Sequence, residues 1–246
     1  MTPKPKYLNC GDTALVIQFG ERVDAGLSGL VLALAEKVEM AAIAGVVAVV
    51  PTFRSLMVHY DPLALTQQGL KRTLAPLLMG LGRSAGSGRR WRIPTCYDES
   101  VGLDLCAVAA RTGLSVRQLV ELHSATTFHV YMMGFLPGFP YLGDLPKELL
   151  LPRRETPRLR VPRGSVAIAM AMSCIYPLES PGGWHVLGRT PVPLWDVRRN
   201  PPAPLAAGDK VRLCPVSLAE YERLRRRAAA GELNLLPEPS HPEPHP

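Results

Sequence analysis

A chain of 246 residues, 47% hydrophobic and 20% charged, can bury one large core or two modest ones, which confines disorder to short pieces. The formal charge of +7 invites a nucleic-acid partner, but the excess is concentrated in Arg153 to Arg163 and Arg223 to Arg227. No nucleic-acid recognition motif accompanies it, no apolar run reaches membrane-spanning length, and the start Met-Thr-Pro-Lys-Pro-Lys-Tyr lacks a signal-peptide core, so the expectation is a cytoplasmic protein without nucleic acid or membrane.

Thr13 to Phe19 alternates and predicts a strand; Asp24 then precedes Leu27, Leu30, Val31, Leu34, Ala35 and Val38, the spacing of one helix face. Gly45 to Val50 and Ser55 to Tyr60 read as strands, and Leu63 to Leu78 as a second helix. The order β-α-β-β-α predicts a small N-terminal α/β domain of the split β-α-β kind over 1–80. Residues 81–90, rich in Gly, Ser and Arg, read as a linker, because the glycines lack the G-x-x-x-x-G-K-[ST] pattern of a phosphate loop.

Trp91 to Cys96 predicts a strand, Asp104 to Thr112 a helix stopped by Gly113, and Ser115 to Gln118 a capping box opening a helix to His123 and Ser124. A strand from Phe128 to Met133 follows, then the run Gly134 to Leu142, expected as a rigid non-strand turn because Pro137 and Pro140 fix φ while Gly134 and Gly138 permit special angles. Short strands at Ser165 to Ala171, Trp184 to Arg189, Val192 to Asp196 and Lys210 to Cys214 predict a compact β-barrel or sandwich over 91–230. Ser217 to Glu220 opens a last helix that Gly231 ends, and 231–246 reads as a disordered tail.

Five scattered cysteines with no C-x-x-C pair and no ligand-spaced histidine predict reduced thiols and no metal site, with Cys106 and Cys214 as small core residues. Chemistry concentrates elsewhere. Gly134 to Leu142, Ser180-Pro181-Gly182-Gly183-Trp184 and the arginines between them read as walls of one site, against the plain alternative of turns closing a β-core. His123, at a helix C-terminus whose dipole favours the imidazolium, is an acid/base candidate or simply a capping residue.

In order along the chain, Glu121-Leu122-His123-Ser124, Gly134 to Gly143, Pro152-Arg153-Arg154, Pro157-Arg158, Val161-Pro162, Gly164-Ser165-Val166, Ile175-Tyr176-Pro177 and Ser180 to Trp184 through Gly188-Arg189-Thr190 resemble the KipI family, also called allophanate hydrolase subunit 1. The resemblance implies an α+β protein whose second domain is a cyclophilin-like β-barrel. It also implies a subunit of an ATP-dependent 5-oxoprolinase, with KipA-like and LamB/YcsF-like partners, a lactam substrate and ATP as co-substrate of the complex. Other roles in the family are inhibition of a sensor histidine kinase and the carboxyltransferase part of a urea carboxylase system. On that basis His123, Arg158 and Arg189 are the catalytic candidates, and Phe135, Pro137, Gly138, Tyr141, Arg153, Pro181, Gly182, Gly183 and Trp184 the substrate-binding ones; the arginines equally suit carboxylates of a partner protein. One departure stands out. Where the family pattern reads Ala-Gly-x-Gln-Thr-Gly, this chain has Ala169-Met170-Ala171-Met172-Ser173-Cys174, which turns a polar, glycine-bearing loop apolar.

Overall fold

The alternating and 3.6-periodic stretches of the first 80 residues form the elements their periods require. In the computed structural model, which describes residues 5–82 and 88–239, strand β1 (Lys6–Cys10) precedes β2 (Ala14–Gln18), helix α1 (Ala25–Met40), β3 (Val46–Pro51), β4 (Ser55–Tyr60) and α2 (Gln67–Leu77). The Asp24 carboxylate accepts from the Leu27 N–H at 2.9 Å and starts α1, which buries Leu30, Val31, Leu34 and Val38 against Leu15, Ile17, Leu56 and Val58 of the sheet. β4 lies antiparallel between β2 and β3, which makes those two strands parallel and α1 the connection of a split β-α-β unit. The edge strand β1 was not expected: its side chains are mostly exposed, so it carries no apolar alternation to read.

The chain divides into two units, Met1–Ser87 and Gly88–Pro246. In the second the order is β5 (Arg90–Cys96), α3 (Leu105–Thr112), α4 (Val116–Ala125), β6 (Thr127–Met133), β7 (Pro140–Gly143), β8 (Arg158–Val161), β9 (Ser165–Ala169), β10 (Met172–Ile175), β11 (Ser180–Gly182), β12 (His185–Arg189), β13 (Lys210–Val216) and α5 (Leu218–Ala229). Seven strands close a barrel in the order β10-β7-β6-β13-β5-β12-β9, and β8 with β11 forms a separate two-stranded sheet. The fold is α+β, with a closed barrel as its larger part. Gly113, at φ +71°, ends α3, and Ser115 with Gln118 forms the reciprocal capping box at the start of α4.

Several strands are buried on both faces, and that places the site. Leu142, Val166, Ile168, Ile175 and Leu187 join Trp91, Ile93, Val211 and Leu213 in the main core, which Leu105, Val108 and Leu119 of α3 and α4 extend. Their sequence neighbours Tyr141, Ala167, Cys174 and Val186 belong to a second cluster with Phe139, Val161, Tyr176 and Trp184. One side of the barrel wall is therefore covered by the Gly134 loop and the β8–β11 pair.

Four expectations change here. The expected turn ends earlier, because Pro140–Gly143 is a barrel strand paired with β6 and β10. Val192 to Asp196 is irregular chain and not a strand, although Val192 and Leu194 are buried. Cys106 is exposed and Cys214 half-buried, while Cys96 and Cys174 are the core cysteines. Residues 231–239 are not disordered: Leu233 and Leu235 pack on the main core, and the Glu238 N–H donates to the Arg90 carbonyl at 2.7 Å. Residues 83–87 of the expected linker and 240–246 of the expected tail lie outside the described residues. No helix among the described residues is long and apolar enough to cross a membrane.

Candidate functional site

The Gly134 loop closes on itself, with the Gly134 N–H donating to the Phe139 carbonyl and the Phe139 N–H to the Leu136 carbonyl, both at 3.1 Å. This holds Phe135 outward, 64% exposed at φ +67°, and drives Phe139 inward to 2%. Phe139 is the hub of an aromatic group. Phe135, Tyr141 and Tyr176 stand 5.4, 5.1 and 5.2 Å from its ring centre, Trp184 stands at 6.4 Å, and Tyr141 meets Trp184 at 6.0 Å, all tilted or edge-to-face. Gly182 fits because a Cβ there would lie 2.3 Å from the Tyr176 hydroxyl, and Gly183 rests against Pro157. Of the nine substrate-binding candidates, Phe135, Tyr141, Gly182, Gly183 and Trp184 thus meet. Pro137 and Pro181 are exposed at the margins, and Gly138, at φ +76°, packs against the Leu194 carbonyl instead.

Arg153 completes this group. Burial pushes the Tyr141 and Tyr176 hydroxyls and the Cys174 thiol up, and the charge of Arg153 opposes that rise at all three. Arg153 is exposed, and its positive charge bears on this group, which suits it to an anionic ligand resting there.

Arg158 has a different place. Its two terminal nitrogens donate to both oxygens of Asp104 at 2.8 Å, while Arg154 donates to Oδ1 and the Val186 N–H to Oδ2, each at 2.7 Å. Burial raises the Asp104 pKa, but these donors and the two positive charges outweigh it and hold the carboxyl below its usual range. Asp104 starts α3, yet its carboxylate makes no bond to that helix. It ties the barrel at β12 to the arginines flanking the site. Sequence reasoning missed it, since its partners lie 50 and more residues away; its only signal was an acidic residue ahead of an arginine-rich segment.

His123 and Arg189 stay apart from the aromatic group. His123 is fully buried, and Ser173, which contacts it, faces the opposite side of β10 from Cys174. The Ser173 hydroxyl donates to the Ala167 carbonyl at 3.2 Å and so accepts from His123 Nε2–H at 3.1 Å, which leaves Nδ1 to accept from the Tyr97 hydroxyl at 2.8 Å. Burial lowers its pKa to about 3, overriding the helix dipole that favoured the charged form. Neither ring nitrogen is left for substrate, and this geometry makes His123 a neutral pin from α4 to Ser173 of β10 and to Tyr97 just after β5. Arg189 donates from Nε to the Arg163 carbonyl at 2.7 Å and holds the turn before β9.

The altered loop is the β9–β10 hairpin. Met170, at φ +55° and 60% exposed, stands where the pattern has glycine, and Cys174, fully buried under Tyr141 and Tyr176, stands at the second glycine. Among the described residues, no three His, Cys, Asp or Glu side chains come together to hold a metal.

Residues 5–205 match the family described as carboxyltransferase domain, subdomain C and D. The chain is 34% identical to a 5-oxoprolinase subunit of Bacillus subtilis over 239 residues, 93% of this chain and 100% of that protein. The crystal structure of TTHA0988 superposes with a TM-score of 0.74 at 40% identity, over 83% of this chain and 40% of that one, so the chain spans less than half of that longer relative. The urea amidolyase of K. lactis gives a TM-score of 0.80 over 96% of this chain and 16% of its own, but at 21% identity that likeness is one of fold.

Proposed function

The chain belongs to the carboxyltransferase C and D family, the family anticipated as KipI, and on that premise we propose that it is one subunit of an ATP-dependent 5-oxoprolinase, which opens the 5-oxoproline lactam to glutamate. The observation that carries this reading is the end-to-end match to the 5-oxoprolinase subunit of B. subtilis. The complex is cytoplasmic, joins this chain to KipA-like and LamB/YcsF-like proteins, and uses ATP as co-substrate.

A lactam carbonyl resists water, and phosphoryl transfer to its oxygen makes the carbon attackable; that chemistry needs held anions and donors aimed at the oxyanion. In this reading Arg153 takes the substrate carboxylate, and the edges of Phe135, Tyr141 and Trp184 cover the ring. The backbone at Gly182, where a Cβ would collide with the Tyr176 hydroxyl, and at its neighbour Gly183 approaches the reacting carbonyl. Arg158 acts through Asp104 as a positioning residue, and His123 does so through Ser173.

The test is co-expression of the three subunits and measurement of ATP-dependent glutamate release from 5-oxoproline. The chain alone is expected to release none. In the assembled complex, Arg153→Ala is expected to raise KM for 5-oxoproline about tenfold or more, as loss of a charge-assisted pair does, with the melting temperature unchanged. No release from a verified three-subunit complex overturns the function, and an unchanged KM removes Arg153 from the site.

A further inference from the structure

Away from the aromatic group, a cleft of about 110 Å3 opens on the outer face of β5 and β13, lined by Arg90, Arg92, Lys210, Arg212, Thr127 and Glu238. Its origin is strand periodicity. Trp91, Val211 and Leu213 point into the main core, so Arg90, Arg92, Lys210 and Arg212 all point out. The parallel register sets Lys210 beside Arg90 and Arg212 beside Arg92, two like-charged lateral pairs in succession. Such pairs oppose sheet formation, and a merely solvated face gains nothing by stacking them in a concavity. Glu238 sets a counter-charge beside Arg92: its N–H donates to the Arg90 carbonyl at 2.7 Å, and its carboxylate stands 3.8 Å from Arg92 Nε. That separation exceeds the 2.7–2.9 Å of a close charge-assisted hydrogen bond, and both side chains are well exposed, so Glu238 is a loose occupant.

We infer that this cleft is a binding site for a multiply charged phosphate anion, and that Glu238 of the C-terminal segment competes for it. Arg92, Arg212 and Lys210 match the several oxygens of a polyphosphate better than the loosely held Glu238 carboxylate does. The inference is independent of the 5-oxoprolinase reading, because it rests on a different face of the barrel.

Isothermal titration of the full chain with tripolyphosphate, inorganic phosphate and ATP tests it. Tripolyphosphate is expected to bind more tightly than inorganic phosphate. An ATP affinity equal to that of tripolyphosphate assigns the site to the phosphate chain alone, and a tighter one assigns it to a nucleotide; either supports the site. Glu238→Gln is expected to tighten binding about two- to fivefold, the scale of one exposed ion pair. Arg212→Glu and Arg92→Glu, with the milder Arg92→Gln and Arg212→Gln in case the reversals unfold, are expected to weaken it tenfold or more for the reversals and severalfold for the neutral changes. Absence of tripolyphosphate binding at low salt in both wild type and Glu238→Gln overturns the site. Binding untouched by the arginine variants shows diffuse charge attraction and overturns it equally, and an unchanged affinity in Glu238→Gln overturns the competition.

Discussion

Met170 takes the first corner of the two-residue β9–β10 hairpin at φ +55°, a left-handed conformation that a side chain with a Cβ adopts at a penalty of roughly 1–2 kcal/mol. Being 60% exposed, it regains little by burial, so this non-glycine residue is a net strain. Met170→Gly is expected to stabilise the chain by about 0.5–1 kcal/mol in denaturant titration, the strain relieved exceeding the extra entropy of an unfolded glycine. A destabilised variant would show that Met170 makes contacts outweighing its backbone. His123 makes the opposite kind of prediction, one in pH. Its pKa is about 3 folded and near 6.5 unfolded, so below pH 6.5 the unfolded chain binds the proton that the folded chain refuses. Stability is full above that pH and falls as pH drops towards 3, by about 2 kcal/mol at pH 5 from this residue. His129, lowered to about 4 chiefly by burial, adds a comparable loss at pH 5 in the same direction. Denaturation midpoints at pH 7 and 5 check this: His123→Gln is expected to be less stable at pH 7 and to lose less on acidification, and an equal loss in both proteins refutes the assignment.

Among the elements, helices with their own caps were legible in the sequence, because Asp24, Ser115 with Gln118, Ser217 and Gly113 act within a few residues of the helix they bound. The strands that escaped were those whose reason for existing lies elsewhere in the chain. Pro140–Gly143 has a proline and a glycine and pairs because Tyr141 and Leu142 pack on opposite clusters; Arg158–Val161 and Ser180–Gly182 exist through each other. β9 is buried at all five positions, so alternation cannot show which face is which. The site divides in the same way. The aromatic loop and the Pro-Gly-Gly-Trp run could be read as walls, since rigid turns advertise themselves; Asp104, which fixes Arg154 and Arg158, could not, nor could the burial that removes His123 from substrate. The tail misled for a related reason: its prolines signal extension, and extension is compatible with lying in a groove. Leu233 and Leu235 face inward at period two while Asn234 and Leu236 are exposed. Leu235→Asp is expected to reduce stability by about 1–2 kcal/mol, as burying a charge at a half-covered apolar position does. A change within about 0.5 kcal/mol, the range of ordinary surface substitutions, returns the segment to the disordered class.

For the molecule as a whole, the apolar clusters respect the division of the chain. One is built from residues between Tyr7 and Leu81, and the other two from residues between Trp91 and Leu235. Cooperative unfolding follows shared core, so each unit is expected to melt on its own terms. The tryptophans make this measurable, because Trp91, Trp184 and Trp195 all lie in the second unit and their fluorescence reports the barrel, while far-ultraviolet circular dichroism reports both units. Leu34→Ala removes a fully buried side chain of α1 and is expected to destabilise the first unit by about 2–5 kcal/mol, moving the dichroism transition to lower denaturant. The tryptophan transition is expected to stay within error of wild type. Ile93→Ala, in β5, is expected to do the reverse, shifting fluorescence first and leaving the early part of the dichroism curve in place. If both probes shift together in both variants, the two cores unfold as one, and the barrel that carries the candidate site depends on the small domain for its stability.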